Sequence, residues 1–140
     1  NRGRTFPPKY DRRHDLSLNS SYRQSKWTWN LSLVYATGQA FTPAGARYTL
    51  RAPATGLFTD RALPADRNSA RLLPYHRLDV GARRTFGLWG SEAEFYVQIF
   101  NLYSRRNEWF VQYDTGEPET DPKVIKMLPI VPTFGLDFKF

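Results

Sequence analysis

The sequence predicts an all-β, antiparallel architecture with about five strands in one sheet. Three observations predict it. Five runs alternate apolar and polar residues with period two, the signature of strands and not of helices. Trp and Tyr stand at the ends of a leucine-centred run, as in strands that cross a bilayer between aromatic girdles. Short turns alternate with long connections, which is ordinary for a membrane barrel and improbable inside a compact soluble domain. Together they describe a segment of a transmembrane β-barrel.

The first run, near 14–23, puts Leu16, Leu18, Ser20 and Tyr22 on one face and Ser17, Asn19 and Ser21 on the other. The second, near 27–36, reads Trp27-Thr-Trp-Asn-Leu-Ser-Leu-Val-Tyr35, with Trp27, Trp29, Leu31, Leu33 and Tyr35 sharing a face. With Gln24-Ser25 as the hairpin loop, Tyr22 pairs with Trp27 and Leu18 with Leu31. Gly38, Pro43, Gly45, Pro53, Gly56 and Pro64 then punctuate 37–74, read as an extracellular loop in which Arg47-Tyr-Thr-Leu-Arg51 is a candidate short strand.

The third run, near 75–86, places Leu78, Val80, Ala82 and Phe86 with His76 and Arg84, and Arg77, Asp79, Gly81, Arg83 and Thr85 opposite. Arg84 lies near enough to the strand end to snorkel toward headgroups. After a turn at Gly87-Leu-Trp-Gly90, the fourth run, near 92–113, has Ala93, Phe95, Val97 and Ile99 on one face and Glu94, Tyr96 and Gln98 on the other. Ser104-Arg-Arg-Asn107 interrupts it, and Glu108 to Tyr113 continues it. Placing Phe86 opposite Ser91 sets Arg83 against Glu94 and Gly81 against Tyr96, whose ring covers the glycine. An acidic loop, 114–123, leads to the last run, near 124–140. There Phe134, Leu136, Phe138 and Phe140 alternate with Thr133, Gly135, Asp137 and Lys139, and Pro129 and Pro132 stand at the entrance. With the short turns periplasmic, the strands run down, up, down, up, down, and the long loops lie outside. Leu16, Leu18, Leu31, Leu33, Leu78, Val80, Phe95, Val97, Leu136 and Phe138 then face lipid.

Composition narrows the function classes. There is no cysteine, so disulfides and thiolate metal sites are excluded. No apolar run approaches the ~20 residues of a membrane helix, which leaves strands as the means of crossing. No signal-peptide h-region is visible in these residues. Twenty Lys+Arg against thirteen Asp+Glu make the chain basic. The charge lies between the periodic runs and forms no basic stripe, so a nucleic-acid partner is not expected. There is no GxSxG, HExxH or phosphate-binding glycine loop, and neither an enzyme nor a cofactor is expected.

The last strand, Phe134-Gly-Leu-Asp-Phe-Lys-Phe140, resembles the C-terminal signal of bacterial outer-membrane proteins. That likeness implies recognition by the barrel-assembly machinery through Phe134, Leu136, Phe138 and Phe140. Five further segments, in order, resemble TonB-dependent receptors of Bacteroidota-type bacteria. They are Tyr10-Asp-Arg-Arg-His-Asp15, Tyr35-Ala-Thr-Gly-Gln-Ala-Phe41, Pro74-Tyr-His-Arg-Leu-Asp79, Phe100-Asn-Leu-Tyr-Ser-Arg-Arg-Asn107 and Leu128-Pro-Ile-Val-Pro132. The resemblance implies a 22-stranded barrel in the Gram-negative outer membrane, an N-terminal plug, TonB as a partner, and energised uptake of a nutrient. Five strands alone would leave two open edges in lipid. Residues 1–140 are therefore expected to be the C-terminal part of the barrel, pairing with further strands and a plug. No TonB box is recognisable in them. A barrel used as a structural scaffold in a surface or secretion assembly is the alternative, and a soluble basic binding protein a more distant one.

Trp27, Trp29, Tyr35, Phe86 and Trp89 are expected to form the aromatic girdle rather than a ligand cage. Arg77, Asp79, Arg83, Glu94, Tyr96, Gln98, Asp137 and Lys139 are expected on the lumen face, as a salt-bridged wall or as contacts to plug or substrate. His14 and His76 each lack an i+2 or i+4 partner, which favours an interfacial role over a metal site. Asp114, Glu117, Glu119 and Asp121 offer oxygen ligands for Ca²⁺ without the EF-hand spacing, and read better as a solvated loop. Arg12-Arg13 and Arg105-Arg106 fit either lipopolysaccharide phosphates or ordinary loop charge.

Overall fold

A computed structural model describes Gly3 and residues 5–113 and 122–139. The chain is all-β, 62% strand, with no helix among the described residues. Its strands are β1 (Asp15–Gln24), β2 (Trp27–Ala36), β3 (Ala40–Phe41), β4 (Ala44–Arg51), β5 (Phe58–Pro64) and β6 (Ala70–Arg71). They continue as β7 (Tyr75–Leu88), β8 (Ser91–Phe100), β9 (Glu108–Gln112), β10 (Lys123–Lys126) and β11 (Val131–Lys139). Two compact units result: residues 14–36, 75–107 and 128–140 form one, and 1–13, 37–74 and 108–127 the other.

The first unit is one antiparallel sheet of five strands in the order β1-β2-β7-β8-β11. Residues paired across a ladder point to the same face, so the register shows what each face carries. One row runs Leu18, Leu33, Leu78; others run Leu31, Val80, Ile99 and Trp29, Ala82, Val97, Phe134. Two further rows link Trp27, Arg84, Phe95 and Leu136, and Phe86, Ala93 and Phe138. The ten residues expected to share a face do share one. The opposite face carries Ser17, Asn19, Ser32, Asp79, Arg83, Glu94, Gln98 and Asp137.

Both hairpins turn later than the alternation alone suggested. The first loop is Ser25-Lys26 rather than Gln24-Ser25, so Tyr22 meets Trp29 and Leu18 meets Leu33. Ser25 takes a positive φ of 56°, the sign pattern of a type II′ turn. In the second, Trp89 and Gly90 have φ of 49° and 82°, as a type I′ turn requires at both central residues. Leu88 therefore faces Ser91, Phe86 faces Ala93, Arg83 faces Tyr96 and Gly81 faces Gln98. Each correction is a slip of two residues, which leaves every side chain on its own face.

The sheet is slanted. Trp27, the first residue of β2, pairs with Arg84, four residues before the end of β7 at Leu88. At the other end Ala36 pairs with Tyr75, whereas β8 stops at Phe100, one residue beyond Val80's partner Ile99. Four residues of ~3.3 Å rise, spread over two strand spacings of ~4.8 Å, correspond to a tilt of roughly 50°. Membrane barrels tilt their strands by about 35–45°.

Two expected long runs are broken. The run 92–113 is β8 and β9, separated where Asn101 and Ser104 adopt positive φ (56° and 55°). The run 124–140 is β10 and β11, separated around Pro129, which has no N–H to give to a ladder. β9 pairs with β10 in a two-stranded sheet of the second unit. The segment 37–74 is likewise more regular than its punctuation indicated. It holds a β4–β5 hairpin that includes the expected strand at Arg47–Arg51, and a short β3–β6 ladder. A Cβ on Gly38 would collide with the Leu72 carbonyl oxygen, and Leu72 N–H donates to the Gln39 carbonyl at 3.0 Å. Gly38 is thus the residue that lets the two crossing segments touch.

Within the sheet, Gly135 lies opposite Tyr96, and a Cβ built there would overlap the Tyr96 ring, 2.8 Å from Cε1. The tyrosine covers Gly135 and not Gly81; the latter sits under Gln98, 3.3 Å from Cγ. Gly135→Val should therefore destabilise the sheet by ~1–3 kcal/mol. Adding Tyr96→Ala should recover most of that loss in urea unfolding of the detergent-refolded protein. Simple additivity of the two changes would show that the ring does not stand over the glycine.

Candidate functional site

Three parts of the five-stranded unit carry its chemistry: the apolar face, the polar face, and a knot of side chains where β8 ends.

On the apolar face Leu16, Leu18, Tyr22, Trp29, Leu31, Tyr35, Phe95, Phe134, Leu136 and Phe138 all remain more than a third exposed, Phe134 at 77%. Among the described residues of the unit, the buried apolar ones are Ala36, Ala82 and Ala93. Trp27 and Trp29 stack at 5.4 Å, nearly parallel at 14°. Of the expected girdle, Trp27, Trp29, Tyr35 and Phe86 share this face. Trp89 stands in the β7–β8 turn, 94% exposed. Leu136 and Phe138 of the expected assembly signal are on the face with Phe134; Phe140 lies outside the described residues.

The polar face holds all eight residues expected to line a lumen. Arg83 reaches diagonally to Glu94 at 3.3 Å, though Tyr96 is its direct neighbour. Half-exposed, that pair contributes only a few tenths of a kcal/mol (about 0.5). Asp137 stands opposite Glu94, and Lys139 opposite Glu92. Arg23, Lys26, Arg83, Glu92, Glu94 and Lys139 are among the residues lining an open concavity of about 800 Å³ on this face. The lining carries charge of both signs.

The knot was only partly legible beforehand. β7 begins at Tyr75, but β8 ends at Phe100, so Tyr75–Asp79 would lack a partner on that side. Residues 101–107 fill the gap with side chains and backbone. Asp79 Oδ1 accepts the Asn101 N–H at 2.8 Å, and Leu102 N–H donates to the Leu78 carbonyl at 2.7 Å. The Asn107 amide imitates a strand: its Oδ1 accepts the His76 N–H at 3.2 Å and its Nδ2 donates to the His76 carbonyl at 2.9 Å. Asn101, 1% exposed, donates from Nδ2 to the carbonyls of Arg105 and Leu128 at 2.8 and 3.0 Å. Its Oδ1 accepts the Arg105 N–H at 3.1 Å. Arg77 binds Asp79 at 2.9 Å and lays its guanidinium 4.2 Å from the Phe100 ring centroid. Among the described residues no buried side-chain polar atom is left without a partner.

Three of the family-like segments, Pro74–Asp79, Phe100–Asn107 and Leu128–Pro132, thus meet in one place. Their asparagines are structural. The sequence cue was available: Asn tolerates positive φ better than other non-glycine residues, and Asn101 follows an apolar run directly. His76 Nδ1 lies 2.7 Å from the Tyr103 hydroxyl, and burial pushes that hydroxyl's pKa above its ordinary value. This places His76 in an aromatic, hydrogen-bonded contact. His14 directly precedes β1 at the same end of the sheet. No group of three or more His, Asp or Glu suited to a metal occurs among the described residues; the acidic positions Asp114, Glu117, Glu119 and Asp121 lie outside them.

In the second unit, Asp11 of the first family-like segment forms an ion pair with Arg71, which also donates to the Asp11 and Gly38 carbonyls at 2.9 and 3.1 Å. Asn68 Nδ2 donates to the Pro7 carbonyl at 2.8 Å, and its N–H to Thr42 Oγ1 at 3.0 Å. These bonds tether residues 7–11 to the strands of the same unit. The chain matches no protein-family model, no curated protein and no solved structure.

Asn107→Ala removes the partner of the part-buried His76 peptide, at both its N–H and its carbonyl, and should cost ~1–3 kcal/mol. The His76 amide should exchange its hydrogen faster by at least tenfold, while amides in β1 and β2 change little. Unchanged protection at His76 would show that Asn107 does not complete the sheet.

Proposed function

We propose that this chain is wall of the outer-membrane β-barrel of a TonB-dependent nutrient receptor. The observation that carries the reading is the apolar face. Ten large apolar side chains from four of the five strands stand exposed on one face, and nothing in their unit covers them. Fully burying one such side chain is worth ~2 kcal/mol, so half-exposure of ten leaves on the order of 10 kcal/mol unrealised. That is comparable with the whole stability of a domain, about 5–15 kcal/mol. Bilayer hydrocarbon covers such a patch without a second sheet.

Three features support lipid over a protein partner. Aromatic residues gather toward the turns, with Trp27, Phe86 and Trp89 at one end and Tyr35 with His76 at the other. The opposite face is charged and concave, as a wetted lumen is. The strands slant as a closing barrel requires. The segments that resemble the receptor family extend the reading from barrel to importer. In it, long loops and a plug bind the nutrient outside, and the plug rearranges under force delivered through TonB. This stretch contributes wall, two outer loops and an assembly signal at Phe134, Leu136, Phe138 and Phe140.

The native protein carrying this chain should sediment with the outer membrane, resist high salt and alkaline carbonate, and leave it only in detergent. Recovery in the salt wash would contradict the membrane reading. Cells lacking the protein should lose uptake of one scarce nutrient, and cells lacking TonB should lose the same uptake. A scaffold barrel would show no dependence on TonB.

Deleting Phe140 separates an assembly signal from mere lipid-facing area. As a signal, the deletion should impair insertion in cells and leave refolding into detergent nearly intact. As area worth on the order of 2 kcal/mol, both should weaken together. Normal surface levels of the deletion protein would count against the signal.

A further inference from the structure

Arg84 is the one arginine or lysine on the apolar face of the sheet, and no carboxylate shares that face among the described residues. The other two arginines of β7 point to the polar face, where Arg77 has Asp79 and Arg83 has Glu94. Arg84 instead stands between Trp27 on β2 and Phe95 on β8, exposed. Its guanidinium lies over the Trp27 ring at 5.4 Å from the centroid. Stacking on a ring leaves the five N–H donors of the fork, which point in its plane, available to an acceptor. Trp27 is paired on its other side with Gln24, an exposed amide that ends β1.

In the reading above Trp27, next to the first short turn, stands at a membrane boundary, and its row runs obliquely inward from there across the slanted sheet. Trp27 opens β2 directly after the Ser25-Lys26 turn, and Thr85 N–H donates to the Lys26 carbonyl at 3.0 Å. Arg84 is therefore level with the tip of the first hairpin. Apolar side chains surround it: Phe95 and Leu136 continue its row, Trp29 lies on the sheet side, and Phe86 and Phe138 lie on the turn side.

We infer that Arg84, Trp27 and Gln24 form a headgroup site for an anionic glycerophospholipid of the leaflet that the short turns face. The inference rests on the membrane reading. A guanidinium without a carboxylate, set in an apolar surface, requires an anion that also brings hydrocarbon. A phosphodiester on a diacylglycerol supplies both: its oxygens take the charge-assisted bonds of Arg84 and the Gln24 amide, and its acyl chains cover Trp29 and Phe95. A free phosphate would satisfy the charge and leave those side chains in contact with water. Trp27 holds the guanidinium in place by cation–π attraction.

The test uses the full chain in nonionic micelles, titrated with short-chain phosphatidylglycerol, short-chain phosphatidylcholine or inorganic phosphate, with binding read by phosphorus-31 NMR. Phosphatidylglycerol should bind the unaltered chain best. Arg84→Gln should weaken it about tenfold, the loss of a charged hydrogen-bond partner. Arg84→Lys should weaken it less, and Arg83→Gln, on the other face, hardly at all. Equal effects of Arg84→Gln and Arg83→Gln would overturn the site, as would displacement of the lipid by inorganic phosphate at equal concentration. A chain that enters neither micelles nor phosphatidylcholine vesicles would overturn the membrane reading and the site with it. One that enters both without dependence on Arg84 would overturn the site alone.

Discussion

An apolar face five strands wide has to be covered, and this requirement organises the rest of the molecule. Among the described residues the strands of this unit bury no apolar side chain larger than alanine, so the sheet has no hydrophobic core of its own there. Its internal stability comes from ladders, cross-strand pairs and the polar face. The remaining apolar area is useful only against something hydrophobic outside. In hydrocarbon the same area ceases to be a liability, and the polar face, concave and charged, becomes the side that meets water.

The proposed lipid environment would set a second requirement. Backbone N–H and C=O groups near lipid must be satisfied inside the protein, because no water is at hand. The end of β8 is where the regular ladder fails, and there Asn101, Asn107 and Asp79 replace backbone partners with side-chain ones. Two asparagines, at 1% and 4% exposure, between them contact His76, Arg105 and Leu128. The family-like segments that meet here are therefore explained by sheet completion.

Which face each residue takes was readable from the alternation, because a side chain's direction depends only on the parity of its position. Leu16 and Phe138 lie on edge strands at opposite sides of the sheet, and both fall where parity puts them. Register was not readable to the same degree. A two-residue slip keeps parity, so only turn chemistry distinguishes Leu18 opposite Leu31 from Leu18 opposite Leu33. Trp89-Gly90 was a usable signal, with Gly at the second central position, but the flanking Gly87 invited a longer turn. Ser25-Lys26 offered almost none. The knot at Asn101 and Asn107 and the Asp11–Arg71 tether join residues 22 to 60 positions apart, and no local pattern encodes such partners.

The account stands or falls on which face meets hydrocarbon. Spin labels placed one at a time at Leu18, Leu33, Val80, Val97 and Leu136, with Ser17, Asn30 and Gln98 as opposite-face controls, measure this directly in bilayers. Oxygen should relax the first set strongly and a polar, water-soluble agent hardly at all, with the order reversed for the controls. Preferential access of the polar agent to Leu18, Leu33 and Val80 would contradict the account, whatever the fold of the sheet.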